Sequence, residues 1–199
     1  MKTTTDYFDV LYQQNDDPWN YENLWYEERK RNICLSLLLK PLYTSVLEIG
    51  CSNGVFSRQL ALRCKQLTCV DANEKAVDLA RLKLADMTHV EVLQLKIPQH
   101  FPAESYDLIV LGEVLYYLNY EELMLLIDEL QQYLSEDGTI LCCHWRHPID
   151  QFSLNGDVVH EVFKENLNLY HYLSLTDPDF NIDLWTRENQ SLADREGLL

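Results

Sequence analysis

The chain has 199 residues, 47% of them hydrophobic and 24% charged, a balance that suits one globular domain or two small ones and excludes disorder and collagen-like repeats. Lysine and arginine total 16 against 32 acidic residues, a formal charge of −16, which is the wrong sign for a protein that gains affinity by neutralising phosphates, so no nucleic-acid partner is expected. No apolar run approaches the roughly 18 residues of a bilayer span, and the opening MKTTTDYFDVLYQQNDD has no apolar secretion core, so a cytoplasmic chain without a membrane partner is expected.

Two helical pieces are expected ahead of the first strand: the aromatic-rich N-terminal segment, and Tyr21–Lys40, whose apolar residues recur at helical spacing until Pro41 ends it. Trp19, Tyr21, Trp25 and Tyr26 crowd this region, and 12 tyrosines against 6 phenylalanines suggest rings that keep a polar end at a wet cleft. A flap over a cavity is the functional reading; packing of helix on sheet is the plainer one and is expected for at least Trp25. Arg29, Lys30 and Arg31 read as a solvated helix face.

From there apolar strand-like runs alternate with helical ones: Ser45–Ile49, a helix from about Gly54, Leu67–Val70, a helix over Glu74–Ala85, then Val90–Leu95 and Tyr106–Leu111. A helix over Glu121–Leu134 follows, then a turn at Asp137 and Gly138 and a strand over Thr139–Cys143. Helical crossovers between runs this apolar call for a parallel sheet covered on both faces. The last third breaks the rhythm. After a short helix near Asp157–Glu165, Leu169–Leu175 and Phe180–Thr186 flank Thr176-Asp177-Pro178-Asp179 and read as an antiparallel hairpin at the sheet's edge, its second strand half-buried by alternation. The tail from Ser191 carries little signal.

The six cysteines show no CxxC or zinc spacing and read as reduced core residues. Cys143 and His144 are strand neighbours, so they point to opposite faces rather than form a nucleophile–base pair.

Val46-Leu47-Glu48-Ile49-Gly50-Cys51-Ser52-Asn53-Gly54 leaves the first strand through a Gly-bounded loop into a helix, the place where an open parallel sheet binds its ligand. Ser52 and Val55 stand where a GxGxxG fingerprint has glycines, which disfavours a nicotinamide dinucleotide. Asp71, 21 residues after Gly50, closes the second strand where a carboxylate accepts ribose hydroxyls; its plainer role is that of an acid at a helix start. Together these features specify a nucleoside without a diphosphate.

With Tyr106-Asp107-Leu108-Ile109-Val110 added, the ExGxxxG loop and Val70-Asp71 resemble a class I S-adenosylmethionine-dependent methyltransferase over nearly the whole chain. The likeness narrows to the nodulation protein S-like group through Asp17-Pro18-Trp19 with Tyr26-Glu27 and Lys30, through Gly112-Glu113-Val114-Leu115-Tyr116-Tyr117-Leu118, and through His144-Trp145-Arg146-His147-Pro148 with Gly156-Asp157 and His160. Asp183-Leu184-Trp185 and Arg195-Glu196-Gly197-Leu198 add to it.

The resemblance implies an α/β, Rossmann-like fold: a mostly parallel seven-stranded sheet, helices on both faces and a C-terminal antiparallel hairpin. It implies a single methyltransferase domain over 1–199, with a helical N-terminal lid segment at 1–43, the core at 44–187 and a tail at 188–199. S-adenosyl-L-methionine would be the cofactor and a small molecule the acceptor, with no metal. Glu48, Gly50 and Gly54 would surround the methionine portion, Asp71 would hold the ribose, the backbone around Leu95, Lys96 and Ile97 would flank the adenine, and Cys51, Ala72 and Gly112 would also bind the cofactor. Lys96 stands where such enzymes often place an Asp to accept from the adenine amino group, and a lysine cannot accept. Trp19, Tyr26 and Lys30 would belong to the flap, Lys30 reaching the cofactor carboxylate. Methyl transfer to an amine or hydroxyl needs a base near the ends of the fourth and fifth strands. His144 or His147 is the expected base, with Glu113 as orienter or cofactor ligand, and Tyr116, Tyr117 and Arg146 on the acceptor; the plainer reading makes His144 a core residue and Arg146 an ion-pair partner. Relatives in that group methylate the amino nitrogen of a deacetylated chitooligosaccharide, so an amine or amino sugar is the expected acceptor. Another small metabolite methylated at oxygen or nitrogen, or a binding protein without turnover, stays open.

Overall fold

The computed structural model describes residues 4–199, with side chains from residue 7, so the first three residues of the expected N-terminal segment lie outside the description. Helix α1 spans Thr4–Gln14 and α2 spans Trp25–Ser36, the two helical pieces expected before the first strand. Alternation follows: β1 Tyr43–Ile49, α3 Val55–Ala61, β2 Cys64–Asp71, α4 Glu74–Lys83, β3 Val90–Gln94 and β4 Tyr106–Gly112. A short 3-10 turn, Leu115–Tyr117, leads into α5 Tyr120–Tyr133, and then come β5 Leu134–Trp145, α6 Gly156–Asn166, β6 Tyr170–Thr176, β7 Phe180–Thr186 and α7 Leu192–Arg195.

The seven strands lie in the order β3-β2-β1-β4-β5-β7-β6, and β7 alone runs opposite to the other six. The chain winds outward from β1 to β3 and then crosses back to β4, so loops leaving β1 and β4 diverge and open a crevice at their carboxyl ends. One face of the sheet packs Cys34, Leu60, Val77 and Ala80 from α2, α3 and α4; the other packs Leu123, Leu126, Ile127 and Leu130 from α5 with Val159 and Phe163 from α6. The α5 stripe is at most 1% exposed, and each such side chain contributes roughly 1.5–3 kcal/mol. Asn119 starts that helix with a capping box: its Oδ1 accepts from Glu122 N at 2.9 Å, and Glu122 Oε2 accepts from Asn119 N at 3.0 Å.

The structure departs from the sequence reading in three places. β5 runs through Asp137 and Gly138, where a turn was expected, and a break in register between Tyr106 and Leu108 absorbs the extra residues. β7 is buried along its whole length rather than on one face, because it lies between β5 and β6 and leaves β6 as the edge. Trp25 is 67% exposed instead of packing on the sheet. No helix among the described residues is long and apolar enough to cross a membrane.

Gly156 opens α6 against the end of β5, and a methyl group there would lie 2.3 Å from the Trp145 carbonyl oxygen. The close atoms are all β5 backbone, with the His144 carbonyl oxygen at 3.0 Å beside those of Trp145, so no flexible side chain can yield and Gly156→Ala is expected to cost about 2 kcal/mol and lower Tm by roughly 5 °C. Thermal unfolding followed by circular dichroism checks this; an unchanged Tm would mean that α6 can shift away from β5 freely.

Candidate functional site

Three cavities meet at the carboxyl ends of β1, β4 and β5, beneath residues of α1, α2 and their connection. The first, about 870 Å³ counted to its open mouth, is lined by Asp71, Ala72, Leu95, Lys96 and Ile97 on one side and by Gly50, Gly112 and Val114 on the other. Gly50 has φ +81°, and a side chain there would lie 3.0 Å from Val114 Cβ and 3.2 Å from the Gly112 carbonyl oxygen, so glycine keeps the crevice open. Asp71 spends half of its acceptor capacity on the loops: Oδ2 accepts from Ser52 N and Oδ1 from Asn73 N, both at 2.9 Å. Each oxygen keeps one lone pair for a pair of vicinal hydroxyls. Phe8, Tyr12, Trp19 and Tyr21 roof this cavity, and Tyr12 Oη meets Ser52 Oγ at 2.6 Å.

The second cavity, about 520 Å³, lies behind the loop after β1 and includes Arg31, Glu48, Cys51, Asn53 and Glu113 in its walls. Among the described residues, two buried polar atoms here have no partner, Arg31 Nε and Asn53 Oδ1. The side chains are 8% and 3% exposed, and a polar atom taken out of water without a hydrogen bond is costly. A cationic donor, an amide acceptor and the Glu48 carboxylate in one small cavity complement the carboxylate and ammonium of an α-amino acid. Burial pushes the Glu48 carboxyl up to about 7, against a bond from Cys69 Sγ at 3.5 Å.

The third cavity, about 950 Å³, is lined by Tyr7, Trp19, Tyr21, Tyr26, Tyr116, Tyr117 and Trp145, with Glu27, Lys30, Glu113 and Asp179 as its charged groups. Glu113 borders all three cavities. It sits just beyond β4 with φ +56°, uncommon for a residue with a side chain. Its N–H bonds the Cys143 carbonyl at 2.9 Å. Oε2 accepts from Tyr116 Oη at 2.6 Å and from Trp145 N at 2.7 Å, and Oε1 is bonded by Lys30 Nζ. Burial is the largest single influence and pulls the Lys30 ammonium down, but Glu113, Cys143 and Glu27 together more than offset it and hold Lys30 above the ordinary lysine value.

Several expected site residues are placed differently. Lys30 is committed to Glu113 and to Glu27 at 3.1 Å, and the group with an unmet bond is its neighbour Arg31. Tyr26 borders the third cavity, not the two around Gly50. Gly54 lines none of them; its Cα faces Ala80 of α4, where a side chain would lie 3.1 Å from the Ala80 Cα. His144 is 0% exposed, lines none of these three cavities and has both ring nitrogens engaged, with Leu115 N at 3.3 Å and His160 at 3.0 Å. Burial first, then the repulsion that a second proton would meet from His160 and Lys30, pushes its pKa well below the ordinary histidine value. His147 stands outside on Asp179 at 2.9 Å, and Arg146 outside on Asp157 at 2.8 Å. The expected histidine bases and the Arg146 contact are therefore not in the cavities, because the strand turns His144 into the core and the loop beyond it leads outward.

Arg31 and Asn53 were missed, and Arg31 had a signal. The buried residues of α2 are Glu27, Lys30, Arg31 and Cys34, spaced as one helix face. Three charged groups on the face that also carries the cysteine do not make a solvated stripe; only Arg29 does as expected, reaching Asp177 at the surface. All six cysteines are free and buried; burial raises the Cys51 and Cys142 thiols well above their ordinary value, which suits core residues.

Residues 6–171 match the sequence profile of nodulation protein S. Nodulation protein S of Bradyrhizobium diazoefficiens is 30% identical over 163 residues, 77% of this chain and 76% of that protein. Among solved structures, a candidate methyltransferase from Pseudomonas syringae is 42% identical, with a TM-score of 0.74 over 82% of this chain and 100% of that one. The N-methyltransferase NodS of Bradyrhizobium japonicum WM9, solved with S-adenosyl-L-homocysteine, is 26% identical, with a TM-score of 0.81 over 93% of this chain and 98% of that one.

Proposed function

The chain belongs to the nodulation protein S family of class I S-adenosylmethionine-dependent methyltransferases, and from that premise we propose that it methylates the nitrogen of a small amine or amino sugar. The observation that carries this reading is the position of Glu113, where two cavities shaped for a nucleoside and an amino acid open onto a third, aromatic one.

The residues fit the donor. Asp71 would hold the ribose hydroxyls, Leu95 to Ile97 would flank the adenine, and Arg31, Asn53 and Glu48 would take the amino-acid end, meeting bonds that the protein leaves open. S-adenosyl-L-methionine supplies the electrophilic methyl carbon when bound. The chain's own contribution is to bring a nucleophile to that carbon and to receive its proton. Tyr116, Tyr117, Tyr26 and Trp145 offer ring faces to a cation or sugar, and Glu113 stands between them and the donor cavities. The net charge of −16 favours a cationic acceptor, and six reduced cysteines suit a cytoplasmic location.

The test is ligand-dependent unfolding followed by labelled-methyl transfer. S-adenosylhomocysteine is expected to raise Tm while NAD and NADP do not, and Asp71→Ala is expected to weaken its binding about tenfold, the loss of charge-assisted bonds of roughly 1.5–3 kcal/mol. Transfer from S-adenosylmethionine into a panel of amines, amino sugars and hydroxylated metabolites then assigns the acceptor; label appearing only in the hydroxylated members would overturn the nitrogen reading.

The Glu48 shift adds a pH signature. A carboxyl raised to about 7 holds its proton more tightly in the folded state, so the free protein loses stability as pH rises from the ordinary carboxylate range through 7. An ammonium bound beside Glu48 favours its ionised form. Affinity for S-adenosylhomocysteine is therefore expected to rise about tenfold between pH 6 and pH 8, and Glu48→Gln to flatten the profile. Calorimetric titration across that range decides it.

A further inference from the structure

A line of buried polar groups runs from the antiparallel half of the sheet to the turn beside Glu113. Asp183 of β7 is 1% exposed and accepts from His160 Nδ1 at 2.5 Å and from His171 Nε2 at 2.6 Å. His160 Nε2 lies 3.0 Å from His144 Nδ1, and His144 Nε2 lies 3.3 Å from Leu115 N. The Leu115 amide can only donate, so His144 Nε2 must accept and His144 Nδ1 carries the proton. His160 Nε2 then accepts in turn, and its Nδ1–H points at Asp183. Burial pushes the Asp183 carboxyl up, yet the bond from His160 and the attraction of that ring when it is protonated at low pH, with the bonds from Ser174 and His171, outweigh it and leave the carboxyl at about 2. One protonation state satisfies every link: an ionised Asp183 and two neutral imidazoles, each protonated at Nδ1.

The far end of this line is the 3-10 turn Leu115–Tyr117. Glu113 lies two residues before Leu115 in a left-handed conformation, and Tyr116 returns its hydroxyl to Glu113 Oε2 at 2.6 Å. The Tyr116 ring also stands edge-on to His144, centroids 5.6 Å apart. Filling this space needs only apolar side chains, and buried polar groups are retained at a cost unless each is bonded. Here every member is bonded, and the last bond goes to a backbone amide at the edge of the cavities.

We propose that Asp183, His160 and His144 are positioning residues: they hold the turn at Leu115 and, through it, set Glu113 and Tyr116 between the donor and acceptor cavities. The consequence for rate rests on the methyltransferase reading; the hold on the turn does not.

Two measurements test the hold. In ¹⁵N NMR of the wild-type protein at pH 7.5, His144 and His160 are expected as neutral Nδ1–H tautomers; His144 found with its proton on Nε2 would overturn the proposal. Amide exchange at Leu115 is expected to accelerate about tenfold or more in His160→Leu, which removes the acceptor for His144, and to stay near wild type in His160→Gln, whose amide oxygen can replace it. Equal exchange in the two variants would reduce His160 to packing. Methyl transfer to D-glucosamine then tests the rate: kcat is expected to fall about tenfold in His160→Leu, with the KM for S-adenosylmethionine unchanged, and to recover in His160→Gln. A wild-type chain that transfers no methyl group to any panel member would defeat the functional reading, while tautomers and exchange would still decide the hold on the turn.

Discussion

Glu113→Gln is expected to lower kcat for amine methylation about 100-fold or more, with the KM for S-adenosylmethionine changing by less than about threefold. A carboxylate offers about four lone-pair sites. Tyr116 Oη and Trp145 N occupy the two on Oε2, and Lys30 occupies one on Oε1. One site on Oε1 remains, on a carboxylate that borders all three cavities, and an acceptor N–H can bond there and pass its proton to it. Glutamine keeps the size of the side chain and its tolerance of the backbone conformation but removes the basic oxygen, and Lys30 keeps Glu27 as a partner at 3.1 Å. Each of Lys30 and Glu113 therefore remains bonded when the other is altered. Steady-state kinetics on the amine that the wild-type enzyme methylates gives the answer, and an unaltered kcat would assign the proton to another group. The imidazoles make poor substitutes, since His144 is enclosed with both nitrogens used and His147 bonds Asp179 on the outside.

The sheet was legible because its information is local. Each strand from β1 to β5 except β3 is an apolar run with a helix after it, and Gly50 with Asp71 marks the crevice within a stretch of 22 residues. The family likeness carried the same reading across the chain. What stayed hidden depends on partners far apart in sequence. Asp183 looked like the polar side of a half-exposed strand, and it is buried because His160 and His171 come to it from α6 and β6. Strand parity sets His144 opposite Cys143, but it does not say which face α6 covers. Lys30 was read toward a ligand, yet its nearest acid, Glu113, is 83 residues away, and a pairing over that distance leaves no local trace.

Arg31→Leu is expected to weaken S-adenosylhomocysteine about 100-fold, the equivalent of two charge-assisted hydrogen bonds totalling about 3 kcal/mol. Nη1 already serves the protein, donating to the Tyr21 carbonyl at 2.9 Å, so the guanidinium is fixed before any ligand arrives. Its Nε is buried without a partner in the cavity that also holds Asn53 and Glu48, and a carboxylate placed there would meet the edge of a planar fork. Lysine offers a point charge with no such edge, so Arg31→Lys is expected to recover only part of the loss. The decisive comparison is with adenosine, which lacks the amino-acid end: its affinity is expected to change by less than about threefold in Arg31→Leu if the guanidinium recognises the carboxylate alone. The lost Tyr21 bond provides the competing outcome. Tyr21 also roofs the cavity beside Asp71, so an equal loss for adenosine and S-adenosylhomocysteine would show that Arg31 acts by holding the roof in place, and the carboxylate would then need another partner.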